Sequence, residues 1–300
     1  MTKNSISKDQ NSEANLKYLK ARYAVYRSAN LLVSVQILLT AIVPTSMAVA
    51  GIWYTSHKGL FALLGLGITL LDMLVIDRSL GKLSTMAAKL SEDFDCRLFS
   101  LPWSNVLVGP GLLPESVREY CQKFPLRKEA HLRNWYPEAV SRLPHYLGVV
   151  LCQRTNLWYD SELRQRYASL VKWSGVSVFC FSFGLAWWMD YSLQEAVLSV
   201  MAPMFPFFAW TIRTFWRQSD VSSAQAKNLS SAEILWKQGS RGILTEERIW
   251  PEIRELQSAI YARRSSSPLI VPFFYNILRP KMEDRMNDAA EQLVKESGLE

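Results

Sequence analysis

Cysteine is scarce in this 300-residue chain, and the four present, Cys96, Cys121, Cys152 and Cys180, show no paired spacing. That excludes a disulfide framework or a thiolate zinc site as the organising feature. Histidine is scarcer still: His57, His131 and His145 stand alone, without an HExxH string. No GxSxG elbow is present, and Gly65-Leu66-Gly67 lacks the strand and further glycine of a dinucleotide loop. With no hydrolase, transferase or metal-site signature, the chain reads as a non-enzyme that needs neither metal nor cofactor. The most consequential absence is charge. Between Ser28 and Ser56 there is none, and a helix of that length rises about 40 Å, more than the ~30 Å hydrocarbon core of a bilayer requires.

What is present completes a membrane pattern. Gly59 to Ile76 is apolar apart from Asp72, and a second pair of apolar stretches runs from Ala168 to Met189 and from Leu193 to Trp216. Each approaches the ~20 residues a spanning helix needs, and lipid leaves no alternative but helices for segments of this kind. Aromatic residues mark the boundaries at Trp53, Tyr54, Trp173, Trp187, Trp188, Trp210 and Trp216. The expected architecture is an all-α integral membrane protein with four transmembrane helices in two hairpins and a helical cytoplasmic region. Its divisions are an N-terminal arm (1–27), a first hairpin (28–76, spans near 30–54 and 59–76), a stalk and sensor region (77–167), a second hairpin (168–217, spans near 168–189 and 193–216) and a helical tail (218–300).

Orientation follows from the basic residues. The arm holds six, Lys3, Lys8, Lys17, Lys20, Arg22 and Arg27, whereas the first hairpin loop holds Lys58 and the second holds none. Both termini and the middle segment are therefore expected in the cytoplasm. A net charge of +7 and a pI near 9.2 are assigned to residues flanking the spans and facing anionic lipid headgroups, each worth about 1 kcal/mol near the surface, and not to DNA or RNA.

Periodicity shapes the remainder. Leu80, Leu83, Ala87, Leu90 and Phe94 recur at helical spacing, so the second span should continue inward as an amphipathic stalk. Turn-rich sequence follows, with short helices expected from Pro114 and Pro137 and a long one from Pro144 into the third span. On that last helix Gln153, Asn156, Asp160 and Arg164 form one polar stripe, read either as a solvated face with an incidental ion pair or as a coupling element. The tail reads as helices interrupted at Ser265-Ser266-Ser267-Pro268 and again at Arg279-Pro280. Inside the spans, Gly65, Thr69 and Asp72 share one face and Gln36 and Thr40 another, which suits helix packing or a pore lining. Pro44, Pro203 and Pro206 can kink the first and fourth spans.

Asp93-Phe94-Asp95, Leu101-Pro102-Trp103, Asn134-Trp135-Tyr136-Pro137 and Cys152-Gln153-Arg154-x-Asn156, followed by Asp160 and Leu163-Arg164, occur in this order between the two pairs of spans. With them the chain resembles the S-4TM family, the SMODS-associating four-transmembrane pore-forming effectors of bacterial antiphage defence (CBASS). The resemblance covers almost the whole chain. It implies a multi-pass protein of the bacterial inner membrane, functionally associated with a cyclic-oligonucleotide synthase, that permeabilises the membrane when a nucleotide messenger appears. Four helices make a narrow bundle, so a conducting path calls for a homo-oligomer. A cyclic oligonucleotide presents phosphates to arginine forks and flat bases to aromatic faces. Arg133, Trp135, Tyr136, Arg154 and Arg164, with Trp103 and Asn156, are therefore candidate ligand residues, and Gln153 and Asp160 candidate coupling residues. Trp103, Trp135 and Tyr136 suit core anchors equally well. A non-conducting scaffold that recruits a soluble partner is the alternative function.

Overall fold

The computed structural model describes residues 4–299; residues 1–3, Lys3 of the basic arm among them, and Glu300 of the tail lie outside the described residues. Six long helices dominate: α1 (Glu13–Trp53), α2 (Thr55–Phe99), α3 (His145–Trp188), α4 (Leu193–Ser240), α5 (Glu246–Ser266) and α6 (Pro272–Ser297). The first four are long and apolar enough to cross a membrane. Within their apolar windows only 22–33% of residues are buried. Leu31, Leu63, Leu70, Phe181 and Trp187 stand exposed. Apolar surface of that extent is stable against acyl chains and not against water.

Each span-bearing helix is longer than its apolar part. α1 begins in the polar arm, so Leu16, Leu19 and Ala21 of its first turns are fully buried, while α2 carries the stalk as far as Phe99. α3 starts at His145 after Pro144, whose fixed φ suits the helix entrance. α4 continues unbroken through residues 217–240, well past the span expected near 193–216. The polar ends of these helices surround one core with Phe94, Phe99, Leu147, Leu151, Ile249, Ile253, Ala290 and Val294. Short helices Asn105–Val108 and Pro114–Gln122, and tight turns at Leu126–Leu132 and Glu138–Arg142, fill the stretch between α2 and α3. Proline-led helices were expected at Pro114 and Pro137; the second is a single tight turn because only five residues separate it from Leu143.

The tail is interrupted between Ser266 and Pro272, at the end of the expected Ser265–Pro268 string, but not at Arg279–Pro280, and α6 runs through it. A proline costs one backbone hydrogen bond and crowds the preceding turn. Here the Arg279 to Glu283 ion pair at 2.6 Å and the buried Met282 brace the helix around it.

Within the spans, α3 packs along α4, and the first half of α2 packs on α4 as well. Three wide π-helical turns, Leu38–Ile42, Asp72–Ile76 and Val197–Met201, interrupt the α-helical ladder. The first precedes Pro44, whose missing N–H would otherwise have served the carbonyl of Thr40. Gly65 is where α2 meets α4. A Cβ there would lie 2.7 Å from the carbonyl oxygen of Ala202 and 3.2 Å from that of Pro203, so only glycine permits this approach.

Candidate functional site

The polar groups of the sequence strings converge beneath the spans. Tyr136, 2% exposed, donates its hydroxyl to Asp95 Oδ1 at 2.7 Å and accepts from Asn156 Nδ2 at 2.8 Å. Its backbone is held on both sides by Gln10, whose Oε1 accepts from Tyr136 N at 2.7 Å. One tyrosine therefore joins the N-terminal segment, α2 and α3. The other oxygen of Asp95 accepts from Arg264 Nη1 at 2.6 Å and from Gln257 Nε2 at 3.1 Å, which brings in α5. Gln257 also donates to Glu92 Oε2 at 2.8 Å and accepts from Gln153 Nε2 at 3.1 Å. Glu92, fully buried, is neutralised by Arg254 at 2.7 Å.

Charges this deep persist only when paired and hydrogen-bonded. Burial pulls the Arg264 guanidinium down, but Asp95 beside it more than restores it and leaves it raised. Burial, and then the charge of Asp95, drives the Tyr136 phenol far above its ordinary range, so it stays a donor. Burial next to Glu92 pushes the Cys96 thiol up to about 12, which removes it as a nucleophile.

A second network lies at the junction of α3, α4 and the α5–α6 linker. Arg164, 9% exposed, donates Nε to Asp160 Oδ2 at 2.8 Å and Nη1 both to Gln218 Oε1 at 2.7 Å and to the Pro268 carbonyl at 2.9 Å. Gln225 adds a bond to Asp160 Oδ2 at 2.9 Å. Burial alone would raise the Asp160 carboxyl, but the Arg164 charge and these bonds outweigh it and hold it below the ordinary range. Ser161 and Ser222 exchange hydroxyl-to-carbonyl bonds at 3.2 and 3.0 Å between the same two helices. The stripe on α3 thus faces protein at Gln153, Asn156, Asp160 and Arg164, not open solvent.

Higher up, Asp72 is 2% exposed inside the second span. Gln36 Nε2 of the first span donates to its Oδ1 at 2.6 Å, and Arg213 of the fourth span pairs with its Oδ2. Four residues on, Arg217 holds Asp77 at 2.7 Å. Gln36, Thr40, Gly65, Thr69 and Asp72 are all buried between helices.

The candidate ligand residues are not gathered on one open surface. Tyr136 and Asn156 bond to each other, and Trp135 beside them lies 4.1 Å beneath the Arg22 guanidinium. Arg133 is exposed and turned to Glu129 at 2.7 Å, while Trp103 donates its indole N–H to the Gly109 carbonyl at 2.9 Å and packs against the Ala88, Val108 and Tyr261 cluster. Arg154 reaches Glu233 on α4 at 3.1 Å. Among the arginines, the buried Nε groups of Arg22, Arg154 and Arg254 stand without an acceptor. Burial lowers the Arg22 guanidinium, which has no ion pair among the described residues. Among the described residues no three His, Cys, Asp or Glu side chains gather as metal ligands.

Sequence reasoning missed Arg22, Glu92, Arg254, Arg264 and Arg213. Only Arg213 left a signal. A charge one turn inside the same end of a span as Asp72 is the partner that a membrane-buried carboxylate requires.

Comparison with known proteins agrees with this architecture. A probable CBASS effector molecule of Bacillus cereus (strain VD146) is 28% identical over 298 residues, an alignment covering 97% of this chain and 98% of the relative. No solved structure gives a significant match. Residues 4–293 match the family described as the SMODS-associating 4TM effector domain, and the chain belongs to that family.

Proposed function

We propose that this CBASS-associated membrane effector is a ligand-gated, membrane-permeabilising protein of the bacterial inner membrane, with both termini cytoplasmic, that acts as a homo-oligomer and performs no chemistry of its own. The observation that carries the reading is helix continuity. α1 to α4 each run without a break from the apolar part into the polar core. A displacement imposed on that core is therefore delivered to the spans by rigid elements.

The trigger is a cyclic oligonucleotide made by an associated synthase. Its phosphates are read by the acceptor-free Nε groups of Arg22 and Arg154, and a base by the Trp135 face. Tyr136, Asn156 and Asp95 are the network that the ligand rearranges, with Arg133 and Trp103 at its margin. Gln153, Asp160 and Arg164 pass the change to α4 through Gln218 and Gln225. To move the population from 1:99 to 99:1 the messenger must prefer the open arrangement by about 5.5 kcal/mol. Binding with equal strength to both arrangements opens nothing.

The test is dye release from liposomes carrying the purified full chain, with cyclic di- and trinucleotides added in turn. Release by one of them, abolished in Arg154→Ala and Arg164→Ala proteins that still insert, is the expected result. No release with any of them favours the non-conducting scaffold, and unchanged release in both variants removes those arginines from the pathway.

A further inference from the structure

A cavity of about 670 Å³ opens where the spans meet the polar region, lined in part by Gln36 and Arg213 of the Asp72 cluster and floored by the linker that bonds Arg164. Arg78, Arg213, Arg217 and Trp210 line it together with the apolar Met73 and Leu74. Met73 and Leu74 are half to two-thirds exposed and continue into the bare apolar belt of the second span. The arginines face two acids. Arg213 is committed to Asp72 and Arg217 to Asp77, but Arg217 remains half exposed and Arg78 has no partner among the described residues. The Trp210 indole N–H is also without a partner among the described residues, at the depth where tryptophan meets lipid headgroups. The floor is the end of α5 and the linker after it, Ser265 to Leu269, whose Pro268 carbonyl accepts from Arg164.

We infer that this cavity is a binding site for an anionic phospholipid, its phosphodiester held by Arg78 and Arg217 and its acyl chains lying along Met73 and Leu74. A guanidinium without a counter-ion at a headgroup-depth pocket between spanning helices fits a phosphate ester, and basic pockets of this kind bind anionic headgroups. The apolar wall selects a lipid over a soluble phosphate ester, because a soluble ester gains nothing from Met73 and Leu74. An occupant here touches the first, second and fourth spans, α3 at Tyr167 and the tail linker at once, so its presence braces the junction that Arg164 closes. The inference depends on the spans and not on any messenger or pore.

The full chain, purified in a neutral detergent, is to be unfolded thermally against increasing phosphatidylglycerol, phosphatidylcholine or sodium phosphate, with native mass spectrometry counting retained lipid. Phosphatidylglycerol is expected to raise the midpoint well above the other two. Arg78→Ala should need about fivefold more phosphatidylglycerol for the same shift, the equivalent of one basic contact of about 1 kcal/mol. Arg78→Ala combined with Arg217→Gln should lose the retained lipid, and Arg97→Ala, in the polar region far from the spans, should change nothing. Equal stabilisation by phosphatidylcholine, or equal losses in Arg97→Ala and Arg78→Ala, would overturn the site. Stabilisation by sodium phosphate equal to that by phosphatidylglycerol would overturn the lipid assignment.

Discussion

The span region and the polar region solve opposite problems with the same helices. In the spans, close approach at Gly65 and a single cluster of Gln36, Asp72 and Arg213 fix the packing, while most apolar side chains face outward. In the polar region a large apolar core is threaded by Glu92, Asp95, Gln153, Tyr136, Gln257, Arg254 and Arg264, nearly all of them hydrogen-bonded to one another. Lipid supplies no hydrophobic driving force between helices, so the spans rely on close contact and a few polar bonds. Water supplies that force to the polar region, which can then carry several buried charges. The spans are thus held by few polar contacts and the polar core by many.

The largest expected break in this comparison is Asp95→Ala, which strands the buried Arg264 guanidinium and the Tyr136 hydroxyl. A stability loss of about 3–5 kcal/mol is expected in denaturant unfolding of the detergent-solubilised protein. Asp95→Asn, which keeps part of the hydrogen bonding, should lose less; equal losses would mean the charge at Asp95 counts for nothing beyond shape. Next is Gly65→Ala, where the added methyl group meets the carbonyls of Ala202 and Pro203. Overpacking of about 1–3 kcal/mol is expected, with engineered cysteines on α2 and α4 crosslinking more slowly. Unchanged crosslinking would show that the spans do not meet there.

The pH dependence sharpens the contrast further. Asp160 has a lowered carboxyl in the folded protein, so its stabilising contribution is complete above the ordinary carboxylate range near pH 4 and is lost as the pH falls below it through the lowered value. Asp160→Asn should flatten the acid limb of an unfolding midpoint-versus-pH curve; an unaltered limb removes Asp160 from the account. The smallest effect belongs to the exposed pair of Arg97 and Asp93 at 2.6 Å. Replacing Arg97 with alanine should cost about 0.5 kcal/mol or less, and a larger loss would show that the surface of the polar region is coupled to its core.

Four spans, the continuation of α2 as a stalk, the start of α3 after Pro144 and the interruption after Ser266 were legible because each depends on near-neighbour composition, which helical periodicity and proline expose directly. The site was legible in part. Tyr136, Asn156 and Arg164 stood out from the strings, but the sequence could not show that Tyr136 is an interior joint or that Arg133 turns away to Glu129. Pro280 looked like a break because a lone proline argues for one, and the packing of Met282 overrode it.

By itself the chain's order of residues determined that apolar helices of bilayer length exist and that polar helices extend from them, since burial of a helix's own backbone is a local matter. Tertiary structure alone decided that Asp72 meets Arg213, that Asp95 meets Arg264 and that Arg78 is left without a counter-ion. Pairs separated by 141 and 169 residues are selected by how helices pack, and the energy of a buried charge depends on its partner in space, whatever its neighbours along the chain.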